Sequence, residues 1–528
     1  MRLREQDGRK KLIVTGLLLL PLMLTGPLSA QLWVRTYDGP SHAWDKSMAV
    51  ALDPEGNVLL TGHAGIIESN GDTTSYYCTM KYGPDGTRHW VRLLGPGFAS
   101  AIAADSSGNA YVTGCHAKNT KDIALTIKYT SSGQLDWVRS IPGGWGSDIA
   151  FDRKNNNVYV TGFFFDSASG SEYALLCKYD LSGNCEWIRI DPLGAWTVSI
   201  SLDSSGNIYT AGYSRDAMFM ILKYSPDGEL LWRYQQVSGY AFKVKATPAG
   251  DVYATGSLPY YQAVYTVKLN SQGQELWWDV YDGPGYDIGQ SLDIDAQGNC
   301  YVTGPSARRA GIMPSFDFLT IKYTPDGTRL WERRYNDTIG DDYPFAIGVD
   351  SRGNVYVGGW SQGPRDTVGI YWGDDYTLIK YDPEGNLVWE ARYVSPDSIA
   401  GWIYALAIDN EDNVITTGFV ITGTRQAYDY DWCTIKYPPT GPGITEKPAT
   451  ASNPSLLLPN PVRPGAVLDL PAETGEFRFF DSSGRLLQTG TITGHQLQLT
   501  SIKPGVYFVQ LRLKNGIRPI SAKFIVGN

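Results

Sequence analysis

The chain has 528 residues, more than one ordinary domain needs, and its 12% aromatic content with 34 Tyr and 16 Trp can fill a large core. Only 19% of residues are charged, which excludes a solvated, unfolded chain. The net charge of −9 argues against a nucleic-acid partner, since phosphate binding needs clustered Lys and Arg.

Residues 1–30 read as a secretory signal peptide. Arg2, Arg4, Arg9, Lys10 and Lys11 make a basic start, Leu12 to Leu24 is apolar, and Pro27-Leu28-Ser29-Ala30 ends on small residues. The apolar run is too short to span a bilayer comfortably, and no later stretch reaches the length of a membrane helix. Export is therefore expected, to the cell surface or beyond, with no transmembrane segment in the mature chain.

From residue 31 to 437 one pattern recurs eight times. Its first half, Gly56-Asn57-Val58-Leu59-Leu60-Thr61-Gly62, returns as GNAYVTG, NNVYVTG, GNIYTAG, GDVYATG, GNCYVTG, GNVYVGG and DNVITTG. Its second half runs from Met80-Lys81-Tyr82 through Pro84-Asp85-Gly86 to Trp90, and returns in forms such as IKYTPDGTRLW. A period near 50 residues marks a propeller, solenoid or array. Each unit reads as four short strands. Period-2 alternation gives the strands, and Asp-x-x-Gly-Asn and Pro-Asp-Gly give the turns. Four antiparallel strands per repeat make a β-propeller blade, so the expectation is an all-β, eight-bladed propeller. The eighth copy stops at Tyr437 before a tryptophan strand, while a spare one stands at Gln31-Leu32-Trp33-Val34-Arg35. Residues 31–37 are expected to close the ring beside 432–437. The repeated Trp and Lys-Tyr positions are expected to pack blade on blade. These units resemble the bacterial β-propeller repeat family SBBP; the family name implies seven blades, whereas eight are counted here.

Residues 438–453 read as a linker rich in Pro, Thr and Gly, and residues 454–528 as a small Ig-like β-sandwich of about seven short strands. This tail resembles the C-terminal sorting domain of the type IX (Por) secretion system. The matching segments are Leu458-Pro459-Asn460-Pro461, Phe480-Asp481-Ser482-Ser483-Gly484-Arg485-Leu486, Ile502-Lys503-Pro504-Gly505-Val506-Tyr507 and Lys523-Phe524-Ile525-Val526. The resemblance implies the type IX machinery as a partner, with Asn460, Pro461, Asp481, Gly484, Arg485, Gly505 and Tyr507 as sorting-motif residues, and release or attachment at the cell surface.

No reaction can be read from the chain. His63 and His116 follow the repeat glycines of the first two blades, with no third ligand evident. Gly359-Trp360-Ser361-Gln362-Gly363 matches GxSxG, but it follows a propeller strand and only His495 comes later. A quinoprotein dehydrogenase would carry adjacent cysteines, and none of the six are adjacent. Loop carboxylates at 281–285, 336–342 and 373–375 leave Ca2+ open as the one cofactor; otherwise none is expected. Cys177 and Cys185 flank one turn and leave a disulfide open. Every repeat also places an aromatic residue ahead of its first strand: Trp44, Phe98, Trp145, Trp196, Tyr240, Tyr286, Tyr343 and Trp402. This set either packs the blades or rings a central mouth and binds a ligand. Two functions follow: a surface module binding a glycan or a protein, or an extracellular glycan-active enzyme with loop carboxylates as acid and base.

Overall fold

The computed structural model describes residues 31–441 except 119–120, 310–314, 337–339, 363–372, 394–397 and 425–426, and beyond them the backbone of strands between 467 and 526. The signal segment, residues 442–453 of the linker, and Asn460, Pro461, Gly484 and Arg485 lie outside the described residues. The chain divides into two units, 1–444 and 445–528. No helix of the described residues is long and apolar enough to cross a membrane.

The first unit is an eight-bladed β-propeller, each blade a four-stranded antiparallel sheet. Seven blades take their strands in sequence order. The eighth joins both ends of the repeat region: Trp33–Tyr37 is its outer strand, paired antiparallel with Ala427–Tyr437, in register from Trp33 opposite Lys436 to Tyr37 opposite Trp432. The ring closes as the unpaired tryptophan segment demands. The first strand of each blade is innermost, and residues from all eight line a central cavity of about 600 Å³.

Two turn chemistries shape each blade. In the first hairpin the Asp carboxylate caps the turn: Asn57 N donates to Asp53 Oδ1 at 2.9 Å and Asn57 Nδ2 to Asp53 Oδ2 at 2.8 Å. The same pair recurs at Asp105/Asn109, Asp203/Asn207, Asp295/Asn299 and Asp350/Asn354. In the second hairpin the glycine adopts a positive φ, as at Gly183 with φ +80°, and an added Cβ there would lie 2.6 Å from the Trp137 ring of the preceding blade.

That contact belongs to an interblade latch. Trp137 Nε1 and Lys128 Nζ converge on Leu181 O of the next blade at 3.0 and 2.9 Å, and Arg139 Nε donates to Gly183 O. Tryptophan and lysine likewise share one carbonyl at Ser271, Pro325 and Pro383. The repeated Trp and Lys-Tyr positions therefore hold blade to blade. At the closing seam the latch is split between the chain ends: Trp33 supplies the indole and Lys436 the ammonium, both to Pro84 O, at 3.0 and 3.3 Å. Trp187 departs from the pattern, its Nε1 buried without a partner.

The second unit contains a sheet ordered Leu486–Thr493, Thr474–Asp481, Gly505–Leu513, Ile520–Val526, and a pair formed by Val467–Asp469 and Gln496–Gln498. Among the described residues these are six strands, against about seven expected. Their register sets Asp481 opposite Tyr507 and Gly505 opposite Val526.

Candidate functional site

The first strands all start on one face of the ring, and that start is fixed by the repeat glycine of the neighbouring strand. An added Cβ at Gly62, Gly114, Gly162, Gly212, Gly256, Gly304, Gly359 or Gly418 would lie 1.6–2.1 Å from a backbone carbonyl in the first strand or, in the sixth blade, just ahead of it. No residue but glycine fits there, which is the physical reason for the invariant glycine of the repeat. The carbonyls belong to Lys46, Phe98, Trp145, Trp196, Tyr240, Ile288, Tyr343 and Trp402. In seven of the blades the pairing then slips by one residue, a β-bulge that turns the next side chain toward the axis. Met48, Ser100, Ser147, Val198, Phe345 and Tyr404 enter the cavity wall this way.

Six of the eight sequence-predicted aromatics hold this position. In the first and sixth blades it is Lys46 and Ile288, and Trp44 and Tyr286 stand two residues earlier. Counting back from the turn residue sets the same two blades apart: the aromatic stands seven residues before it in six blades and nine before it in the first and sixth.

The position behaves in two ways. Trp145, Trp196, Tyr240, Tyr343 and Trp402 are half-buried and pack across blades. Trp145 stacks on Phe163, whose ring meets Trp196 edge-on at 4.8 Å, and Trp196 Nε1 donates to Ser147 Oγ at 2.8 Å. Farther round, Tyr343, Trp360 and Trp402 stack in turn, with Phe345 and Tyr404 against them. By contrast Trp44 is 59% exposed, Tyr286 45% and Phe98 37%. Tyr261, from the loop after the second strand of the fifth blade, stacks on Tyr240 and is also exposed, which places that loop on the same face.

Charges in the cavity are paired. Asp148 Oδ2 accepts from Ile200 N at 3.0 Å and lies 3.9 Å from Lys243 Nζ; Asp293 accepts from Lys245 Nζ and from Val349 N.

Other residues singled out from sequence sit elsewhere. His63 is largely enclosed, its ring edge-on to Phe98 at 5.1 Å, and burial together with Lys46 pushes its pKa down to about 4. No metal-binding group among the described residues includes His63 or His116. Ser361 of the GxSxG segment is buried in strand Val355–Gln362, donates to Asp342 and accepts from Arg392. It is a core hydrogen-bonding residue and does not stand at a strand-to-helix turn. Cys177 and Cys185 are both free: Cys177 pairs with Ile188 and is buried, whereas Cys185 pairs with Tyr179 and is exposed, so the disulfide left open by their spacing does not form. Of the loop carboxylates considered for Ca2+, Asp342 and Asp375 pair with Arg308 and Arg392 at 3.1 and 3.3 Å.

A carboxylate cluster not anticipated from sequence lies where the ring closes. One ligand oxygen from each of Asp38, Asp45 and Asp431 falls within 4.8 Å of the others, and Asp38 also groups with His42 and Asp429. Burial and the neighbouring carboxylates push Asp45 up to about 7 and Asp431 up to about 6. Nothing in the sequence pointed to it, because its members come from opposite ends of the propeller.

Residues 331–364 match the family model described as a beta-propeller repeat, SBBP. The chain carries an SBBP beta-propeller repeat. No curated protein matches it. Among solved structures it is similar to one described as the Dos1 propeller, at 9% identity and a TM-score of 0.49, covering 76% of this chain and 95% of that one. It is also similar to PorZ, described as a bacterial surface component of the type-IX secretion system of Porphyromonas gingivalis. There the identity is 13% and the TM-score 0.29, covering 91% of this chain and 81% of that one. A protein from Bacteroides caccae described as of unknown function is 14% identical over 54% of this chain and 93% of its own, with a TM-score of 0.32.

Proposed function

We propose that this SBBP-repeat propeller is an exported, surface-acting binding module, whose aromatic face takes a glycan. The observation that carries this reading is the division of labour within the aromatic set. Half-buried members already pack the blades, while Trp44, Phe98, Tyr261 and Tyr286 leave large apolar rings in solvent on the face where the first strands begin. Phe98 and Tyr261 each use one side of the ring for packing, on His63 and Tyr240, and still expose the rest. Such exposed aromatic surface marks an interaction site, and flat rings beside polar groups suit the apolar faces and hydroxyls of a sugar. A protein ligand would use the same face. An enzyme fits less well, because the cavity carboxylates Asp148 and Asp293 are each engaged by a lysine and a backbone amide, which favours a structural role over acid–base work.

The test is a polysaccharide-binding panel on the purified chain. Trp44→Ala with Tyr286→Ala is expected to weaken binding about tenfold or more with the melting temperature unchanged. Trp196→Ala, which removes a packed ring and a hydrogen bond, is expected to cost about 2 kcal/mol or more of stability. Absence of binding to any glycan, or equal binding by the double variant, would reject the reading.

The tail supplies the address. Its sorting-like segments support delivery by the type IX machinery, so a chain lacking 454–528 is expected to accumulate in the periplasm with its propeller folded. Fractionation with protease resistance as the folding readout checks this, and normal surface delivery of the truncated chain counts against it.

A further inference from the structure

The seam between blades 6 and 7 and the seam that closes the ring are built on the same plan, but only the first balances its carboxylates with arginines. In the sixth blade Asp317 stands opposite Ser306; by the same register Asp431 stands opposite Val420 in the eighth. In the next blade, Asp342 and Asp45 each immediately precede the residue whose carbonyl abuts the repeat glycine. At the 6/7 seam, Arg308 bridges Asp317 and Asp342, and Arg334 holds Asp317 from the outer strand at 2.9 Å. At the closing seam both arginines are gone. Thr422 replaces Arg308 and donates to Asp431 Oδ2 at 2.9 Å; Thr36, opposite Cys433, replaces Arg334, itself opposite Leu319. A third carboxylate, Asp38, is added.

The closing seam therefore keeps the carboxylates and lacks the cations that neutralise them elsewhere in the same ring. Asp431 Oδ1 is buried without a hydrogen-bond partner. Asp45 accepts from Gly65 N at 2.8 Å and from Gly39 N, which fixes its carboxylate while leaving lone pairs free. The nearby bases do not substitute for the arginines: the Lys46 ammonium lies over the Phe419 and Tyr430 rings at 4.8 and 4.7 Å, and His42 is exposed and bonds Asp38.

We propose that Asp38, Asp45 and Asp431 hold a Ca2+ ion that pins the N-terminal strand and the first blade to the eighth. All the donors are hard carboxylate oxygens, and two oxygens bound to one Ca2+ at about 2.3–2.6 Å lie at most about 5 Å apart, which the observed spacing satisfies. The ion takes the place that a guanidinium fills at the 6/7 seam.

The experiment compares thermal unfolding of the purified full chain in Ca2+, in Mg2+ and in EGTA, with Tb3+ luminescence sensitised by the adjacent Tyr430 and Trp432 as a direct binding readout. Ca2+ about a hundredfold above its dissociation constant is expected to raise the melting temperature by about 3–5 °C over EGTA. Thr422→Arg, which installs the 6/7 bridge, and Asp431→Asn are each expected to weaken Tb3+ and Ca2+ binding at least tenfold. Each should melt in EGTA no lower than the unsubstituted chain, because each relieves repulsion. A chain silent to Tb3+ with equal melting in Ca2+ and EGTA would overturn the proposal. So would an equal shift in Mg2+, or an Asp431→Asn chain with an undiminished Ca2+ response.

Discussion

Removal of residues 31–37 is expected to destabilise the whole ring and to leave it prone to self-association. The strand Trp33–Tyr37 supplies the outer edge of the eighth blade, so its loss exposes the ladder of Ala427–Tyr437. An open edge offers unpaired amides and carbonyls to any other chain. The strand also carries the indole of the closing latch: Trp33 is buried, packs against Tyr82 and donates to Pro84 O of the first blade. Truncating an indole of this kind costs about 3–5 kcal/mol, before the lost backbone pairing is counted. Arg35 Nε adds a bond to Gly86 O at 2.6 Å. The entropy of closing so long a loop grows only logarithmically with its length, so these contacts outweigh it. Denaturant unfolding and gel filtration check the result. Trp33→Ala should reproduce much of the loss, and Leu32→Ala, at a half-exposed neighbouring site, should not. An unchanged midpoint for the deleted chain would count against closure by this strand.

The fold was legible because the repeat is local. Each turn Asp, turn Gly and latch Trp lies within some fifty residues of its counterparts, and the missing eighth tryptophan strand had one candidate to replace it. The site was only partly legible, for two reasons. The offset of nine residues instead of seven already set Trp44 and Tyr286 apart from the other six, but only the register shows that Lys46 and Ile288 hold the equivalent carbonyl position against the repeat glycine. The seam carboxylates depend on closure: Asp38 and Asp45 lie nearly four hundred residues from Asp431 and meet it only because the ends of the propeller share a blade. Comparing the 6/7 and 8/1 seams required the register of both, which no motif reports.

The repeat glycine gives the sharpest test of that register. Gly212→Ala is expected to cost about 3 kcal/mol or more, because the added Cβ would lie 1.9 Å from Trp196 O and 2.8 Å from Thr197 Cα. Neither atom can move without shifting the first strand. A shift there would carry Trp196 off Ser147 and Phe163, and would disturb the buried Thr161–Thr197 hydroxyl pair at 2.6 Å. The cost arises from lack of space and not from backbone conformation, since Gly212 is not among the positive-φ glycines. Gly71→Ala separates the two causes. Gly71 has φ +87° with nothing within 4 Å of an added Cβ, so it bears only the left-handed strain of about 1–2 kcal/mol. Thermal and urea unfolding of the two variants should therefore rank Gly212→Ala well below Gly71→Ala. Near-UV circular dichroism should change only for the former, through the displaced indole of Trp196. Equal losses in the two would mean that the first strand can yield, and that the aromatic face is not held in place by the glycine.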